Sequence, residues 1–186
     1  QNENLTTRYN MLVSQINPHF FFNSLNSLSM LVRQEDKSRA LEYIDQLSYT
    51  FRYITQNSNH GELVPLREEI SFAKAYCYMF RIRYADKIFF DIDVDEQYMD
   101  CLLPALSLQP LIGNAVKHNA ITSKRPLQVR ISVEDGFLVV SNPLQPLLEP
   151  QIGTGTGLEN LKSRYELMID RTIEIEQTET HFIVRL

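Results

Sequence analysis

Three stretches of this 186-residue chain hold residue types that can do chemistry together. The first is QINPHFFFNSLNSL, Gln15–Leu28. His19 follows a proline, sits in an apolar run and has asparagines nearby. A neutral imidazole is a competent nucleophile near pH 7, because its reference pKa is about 6.5. On a helix turning about 100° per residue, Gln15, His19, Asn23 and Asn26 form one polar stripe. Pro18 removes the N–H that would bond to the carbonyl of Ser14, so a kink or loosened turn is expected there. His19 is therefore expected to be exposed, with Asn23 one turn on placed to orient its ring.

The second stretch is LQPLIGNAVKHN, Leu108–Asn119. Helical spacing puts Ser107, Pro110, Asn114, Lys117 and His118 on one stripe. Leu108, Leu111, Ile112, Ala115 and Val116 fall on the other, which reads as core. The first stripe offers an amide, an ammonium and an imidazole. Asparagine is a neutral oxygen ligand suited to Mg²⁺, and lysine is a point charge suited to phosphate. Taken alone, the stripe reads better as a solvated helix face.

The third stretch is GTGTGLENL, Gly153–Leu161. Gly153, Gly155 and Gly157 precede a helical pattern that begins near Leu158. Glycines permit tight turns and close approach of backbone to ligand, and a helix N-terminus offers free N–H groups to an anion. The alternative is a flexible loop before a helix.

These residues need elements to position them. The pattern from about Leu5 to Val32 predicts a long helix. Leu5, Tyr9, Leu12 and Ile16 line one face before Pro18, and Phe21, Leu25, Leu28 and Val32 line roughly the opposite one after it. Asp36 or Ser38 can cap a second helix running to about Thr55, with Leu41, Ile44, Leu47, Phe51 and Ile54 on one face. Such a hairpin buries too little surface alone, so it is expected to pair with a copy of itself or with another domain. TQNSNHGE (Thr55–Glu62) marks a boundary. Beyond it come a short strand at ELVPL, a helix Arg67–Tyr84, a strand Lys87–Val94 and a helix Pro104–Asn119 with the proline at its start. Two strands follow, LQVRISV and FLVVSN, meeting at a tight turn of Glu134, Asp135 and Gly136. A helix from about Leu158 to Met168 and strands near Ile173–Glu176 and Phe182–Leu186 complete the pattern. The fold class expected is α+β: an N-terminal helical hairpin, then an α/β sandwich with one mixed sheet covered by helices on one face.

Composition bounds the rest. Lys and Arg number 18 against 23 Asp and Glu, a net charge of −5, so the electrostatic footprint of a nucleic-acid binder is absent. No apolar run spans a bilayer and no signal-peptide pattern opens the sequence. The first residue is Gln, so a piece of a longer protein is expected. Cys77 and Cys101 read as buried thiols in a reducing compartment, and no Cys/His cluster has zinc-like spacing.

Together and in this order, the three stretches resemble the cytoplasmic kinase core of LytS-like sensor histidine kinases. QINPHFFFNSLN resembles that family's phosphoacceptor box, LQPLIGNAVKHN its N box and GTGTGLENLKSRY its second glycine box. The resemblance covers nearly the whole chain. It implies a dimerising two-helix phosphoacceptor module over residues 1–58 and a GHKL, or Bergerat-type, ATP-binding domain over residues 59–186. It implies ATP and Mg²⁺, with His19 receiving the γ-phosphate and Asn23 beside it. Asn114 would be the Mg²⁺ ligand and Lys117 a phosphate contact, with His118, Asn142, Gly153, Gly155, Gly157 and Leu158 completing the nucleotide site. It further implies a homodimer, a response regulator whose receiver aspartate takes the phosphoryl group, and an origin in the cytoplasmic portion of an inner-membrane sensor.

The sequence departs from the family pattern at named positions. Many histidine kinases place an acid after the phosphoacceptor, where this chain has Phe20, and no general base can be read. A glutamate commonly precedes the N-box asparagine, where this chain has Gly113. Gyrase-type ATPases carry a water-activating glutamate one turn before that asparagine, and here that position is Pro110, which argues against an efficient hydrolase. The first glycine box, usually Asp-x-Gly-x-Gly, reads VVSNPLQP. Asn142 stands for the aspartate that accepts from the adenine amino group, and Pro143 and Leu144 replace glycines. Weaker nucleotide binding or an altered lid is expected, and a stiff one, with prolines at 143, 146 and 150 in a lid of residues 143–152. Arg164 reads as a lid support or as half of an ion pair. Arg52 and Tyr53 read as packing, His60 and His181 as surface, and Phe20–Phe22 as core or dimer interface. Two rivals stay beside the kinase: a dimerising module that signals without phosphotransfer, and an ATP-hydrolysing clamp.

Overall fold

The computed structural model describes residues 18–58, 62–147 and 156–186. They fall into two compact units, one within Gln1–His60 and one within Gly61–Leu186. The part of the first predicted helix before Pro18 lies outside the described residues, as does His60.

The first unit contains α1 (Pro18–Arg33) and α2 (Lys37–Asn57). The turn between them explains itself chemically. Glu35 takes a left-handed conformation at φ 57°. Its N–H donates to the Val32 carbonyl at 3.0 Å, and the Asp36 N–H to the Leu31 carbonyl at 3.2 Å, which closes the end of α1. Asp36 then caps α2, its carboxylate accepting from the Arg39 N–H at 3.1 Å.

The helix faces differ from expectation. The buried positions are Ser24, Ser27 and Leu31 on α1, and Ala40, Tyr43, Thr50, Tyr53 and Ile54 on α2. Phe21, Leu25, Val32, Leu41 and Ile44, expected on the apolar faces, are exposed. Each helix has two phases that can pass for an apolar face. The buried one uses small serines that allow close approach, and Ser24 hides its polarity by donating to the Phe20 carbonyl at 2.8 Å. Phe20 and Phe21 both meet Phe51 edge-on, with centroids 6.3 and 5.8 Å apart. Tyr53 packs as expected, whereas Arg52 is exposed.

The second unit is built from β1 (Leu63–Pro65), α3 (Leu66–Tyr84), β2 (Ile88–Asp93), β3 (Leu102–Pro104), α4 (Leu108–His118), β4 (Leu127–Glu134), β5 (Phe137–Pro143), α5 (Thr156–Ile169), β6 (Glu174–Gln177) and β7 (His181–Arg185). Strands β1 and β3 pair antiparallel. The main sheet runs β2-β4-β5-β7-β6, with β2 parallel to β4 and every other pair antiparallel. Asp135 and Gly136 both take positive φ, 51° and 81°, which is the two-residue turn that suits the twist of β4 and β5.

Register shows which face the helices cover. Ile92, Ile131, Val140 and Val184 stand side by side across four strands. Ile131, Val140 and Val184 are buried, together with Leu108 and Ile112 of α4, Phe72 and Ala73 of α3, and Leu161 of α5. On the other face Arg130 pairs with Asp91 and Asp93, and Arg185 with Glu176. The α+β class and the mixed sheet with helices on one face are as expected.

Two local expectations fail. Pro104 does not start a helix. It ends β3, and α4 begins only at Leu108 because Leu106, at φ 58°, turns the chain first. Cys77 is buried, and its burial pushes the thiol well above the usual range, but Cys101 is exposed.

Candidate functional site

In the first unit His19 is exposed on the first turn of α1. Asn23, one turn on, brings its Nδ2 to 3.1 Å from Nδ1 and 3.3 Å from Nε2 of the imidazole. This contact can hold the ring's orientation.

In the second unit α4 carries the polar stripe. Asn114 is half-buried, and Lys117 and His118 are exposed. Burial lowers the His118 pKa from its usual value and the neighbouring Lys117 charge lowers it further, so the neutral imidazole is favoured there. The stripe is bracketed at both ends. A Cβ built on Gly157 of α5 would lie 3.7 Å from the Pro110 side chain, so the third glycine sits against the start of the stripe. Gly153 and Gly155 lie outside the described residues, and Leu158 is on the first turn of α5.

The other end of α4 is tied to the strand that carries Asn142. Asn119 donates from Nδ2 to the Ala115 carbonyl at 2.9 Å, and its Oδ1 accepts from the Gln145 N–H at 2.7 Å. The Ala120 N–H donates to the Gln145 carbonyl at 2.6 Å, and Gln145 Nε2 to the Pro126 carbonyl at 3.1 Å. The Leu144 N–H donates to the Thr180 carbonyl at 2.8 Å. Residues 144–146 are therefore pinned to the sheet and to α4, and residues 148–152 of the predicted lid lie outside the described residues. Asn142 is buried at the end of β5 and donates from Nδ2 to the Pro143 carbonyl at 2.9 Å.

Gly113 takes the place of the expected glutamate and faces α3. A Cβ there would meet the Tyr76 hydroxyl at 3.7 Å, an ordinary contact. Glycine in a helix interior costs about 0.5–1 kcal/mol relative to alanine. Gly113→Ala is expected to raise the melting temperature by roughly 2–5 °C. A fall in a thermal melt would mean that the Tyr76 hydroxyl needs the room.

A second group of residues escaped the sequence reading. Glu69 of α3 is fully buried. Its Oε1 accepts from the Leu106 N–H at 2.6 Å and its Oε2 from the Leu108 N–H at 3.1 Å. It caps α4 from another helix, while the adjacent Ser107 donates to the Pro104 carbonyl instead. Arg164 of α5 reaches the same turn, donating to the carbonyls of Ala105 at 2.5 Å and Leu106 at 3.0 Å. Burial lowers the Arg164 pKa, and the charge of Glu69 opposes that. The Tyr165 hydroxyl donates to Ser107 Oγ at 3.1 Å, and burial foremost pushes its pKa up to about 12. The legible signal was Glu69 itself, an acid in phase with Leu66, Ile70 and Ala73 on the apolar side of a helix. The sequence reads Arg164 as a lid support or half of an ion pair; its hydrogen bonds go instead to backbone carbonyls of the turn before α4.

No described helix is long and apolar enough to cross a membrane. His181 is exposed on β7, its Nδ1 2.9 Å from Thr180 Oγ1.

A histidine kinase family model matches residues 7–88. Sensor histidine kinase/phosphatase LytS of Staphylococcus aureus strain Mu50 is 33% identical over 183 residues, covering 89% of this chain and 31% of LytS; the protein of strain N315 gives the same values. The chain thus spans about a third of the length of these curated relatives. Among solved structures, the catalytic domain of histidine kinase ThkA is 19% identical, with a TM-score of 0.47, over 67% of this chain and 95% of that one. The cytoplasmic segment of histidine kinase QseC is 15% identical, with a TM-score of 0.45, over 80% of this chain and 92% of that one. The chain is thus similar to LytS sensor histidine kinases over most of its length, and a histidine kinase model matches its residues 7–88.

Proposed function

We propose that this chain is an ATP-dependent protein-histidine kinase core that phosphorylates itself on His19. The reading rests foremost on one observation: Gly157, Asn114, Lys117 and the Asn142 strand, far apart in sequence, gather along a single helix, α4. On this reading the adenine amino group donates to Asn142 Oδ1. Lys117 and the glycine-rich start of α5 neutralise and cradle the phosphates. Asn114 supplies a neutral oxygen to Mg²⁺, and the ion, when bound, neutralises charge that develops on the phosphate oxygens.

The lone pair of an imidazole nitrogen of His19 attacks the γ-phosphorus. An N–P bond forms, the bond from that phosphorus to the bridging oxygen breaks, and ADP leaves. Asn23 orients the ring. No acid is required to create the nucleophile, since neutral imidazole already carries the lone pair. The phosphoryl group then passes to a receiver aspartate of a response regulator. We further propose that residues 1–58 act as the dimerising phosphoacceptor module and residues 59–186 as the ATP-binding domain. The exposed apolar side chains of α1 and α2, Phe21, Phe22, Leu25, Leu41 and Ile44 among them, are a surface suited to a second copy. Membrane attachment of the full protein would lie in segments outside this chain.

The test is labelling with ATP carrying a radioactive γ-phosphate and Mg²⁺, on this chain and on His19→Ala. The expected label is acid-labile, base-stable and lost in the variant. Asn142, Pro143 and Leu144 in place of an acid and glycines favour the second reading, a dimerising module without phosphotransfer. No label together with no heat of nucleotide binding would establish that one. Steady phosphate release without labelled protein would point to a hydrolase.

A further inference from the structure

We infer that Glu69 and Arg164 are positioning residues for the nucleotide phosphates, an inference that rests on the kinase reading above. Their side chains grip one turn from two helices. The Glu69 carboxylate of α3 holds the N–H groups of Leu106 and Leu108, and the Arg164 guanidinium of α5 holds the carbonyls of Ala105 and Leu106. That turn leads directly into α4, which carries Asn114 and Lys117.

The placement of Arg164 on α5 gives the grip its meaning. Gly157 and Arg164 are seven residues apart, two turns of one helix, and so share a face. Gly157 packs on Pro110 in the first turn of α4, and Arg164 holds the residues just before that turn. Tyr165, next in sequence, adds its bond to Ser107. The glycine-rich start of α5 and the Asn114–Lys117 stripe are thereby set at one spacing. Any slide of α5 along its axis must carry Ala105 and Leu106 with it. An apolar pair would fill the same space without fixing direction. Two charged groups, each bonded to two backbone atoms, fix it.

On the kinase reading the adenine amino group is taken by Asn142 on β5, whereas the hydrogen bonds of Arg164 go to the turn before α4. Disturbing the grip should therefore harm recognition of phosphates far more than recognition of the base. The experiment titrates the whole chain, Arg164→Gln and Arg164→Lys with Mg²⁺·ATP and separately with adenosine, by calorimetry. Circular dichroism checks that each variant is folded. ATP affinity should fall about tenfold or more in Arg164→Gln, as loss of positioning does. Adenosine affinity should change by less than about twofold. Arg164→Lys keeps the charge and can reach one carbonyl, so it should recover part of the ATP affinity. It also decides the matter if the glutamine variant does not fold.

Equal losses for ATP and adenosine, or wild-type ATP affinity in the lysine and glutamine variants alike, would overturn the inference and leave the kinase reading intact. A wild-type chain that binds no ATP would overturn both.

Discussion

Asn114→Ala should give a protein that melts like the wild type and no longer holds ATP in a Mg²⁺-dependent way. The two halves of that result have separate causes. Asn114 is half-buried on the polar stripe of α4, so truncation opens no sealed cavity. Alanine is also the better helix former. Stability should therefore stay within about 0.5 kcal/mol. The stripe, however, has one neutral oxygen ligand at that point. Lys117 is a cation, and His118 offers a ring nitrogen where Mg²⁺ takes oxygen, so neither replaces the amide oxygen. Autophosphorylation should drop by roughly a hundredfold or more, the scale on which lost electrostatic and positioning contacts act. The check is an ATP titration with and without Mg²⁺, alongside the labelling rate. A folded variant that labels at the wild-type rate would remove Asn114 from the site.

Much of this arrangement is legible in the sequence because its signals are local. The Asp135–Gly136 turn, the alternation in β4 and the two-sided stripe of α4 need only their own residues to be read. The failures come where distant residues decide. Leu102–Pro104 is a strand only because Leu63–Pro65 pairs with it. Without that partner, Pro104 reads as a helix start. The helical hairpin fails for a different reason. Phe21, Leu25 and Leu41 obey helical spacing as well as Leu31 and Tyr43 do, and hydrophobicity alone favours them. The buried phase is chosen by Ser24, Ser27 and Thr50, whose small size admits a neighbouring helix. At the site, types and spacing single out His19, Asn114 and Gly157. They do not reveal that Asn119 ties α4 to Gln145, or that Glu69 and Arg164 meet at one turn, since those contacts join residues 26 and 37 to 59 positions apart.

Glu69→Ala should strongly destabilise the second unit. The carboxylate is fully buried and is the acceptor for two backbone N–H groups. Removing it leaves both donors unpaired at the start of α4 and deprives the half-buried Arg164 of its neighbouring negative charge. It also deprives Leu106 of a bond that sustains a left-handed conformation, which a non-glycine residue adopts at a cost of about 1–2 kcal/mol. Leaving two buried backbone donors unpaired and a partly buried cation without its nearby counter-charge costs about 3–5 kcal/mol. Domains of this kind hold about 5–15 kcal/mol in all, so the unit should be brought close to unfolding. The melting temperature should fall by roughly 10–20 °C. Glu68, its neighbour in sequence, is exposed, and Glu68→Ala should change stability by less than about 0.5 kcal/mol. Glu69→Gln lies between the two, because its amide oxygen can accept from one backbone N–H while its nitrogen faces the other. Thermal melts of the three variants would order them Glu68→Ala, Glu69→Gln, Glu69→Ala. If Glu69→Ala melted with Glu68→Ala, the carboxylate would not be what holds the turn, and α4 would owe its position to its apolar face alone.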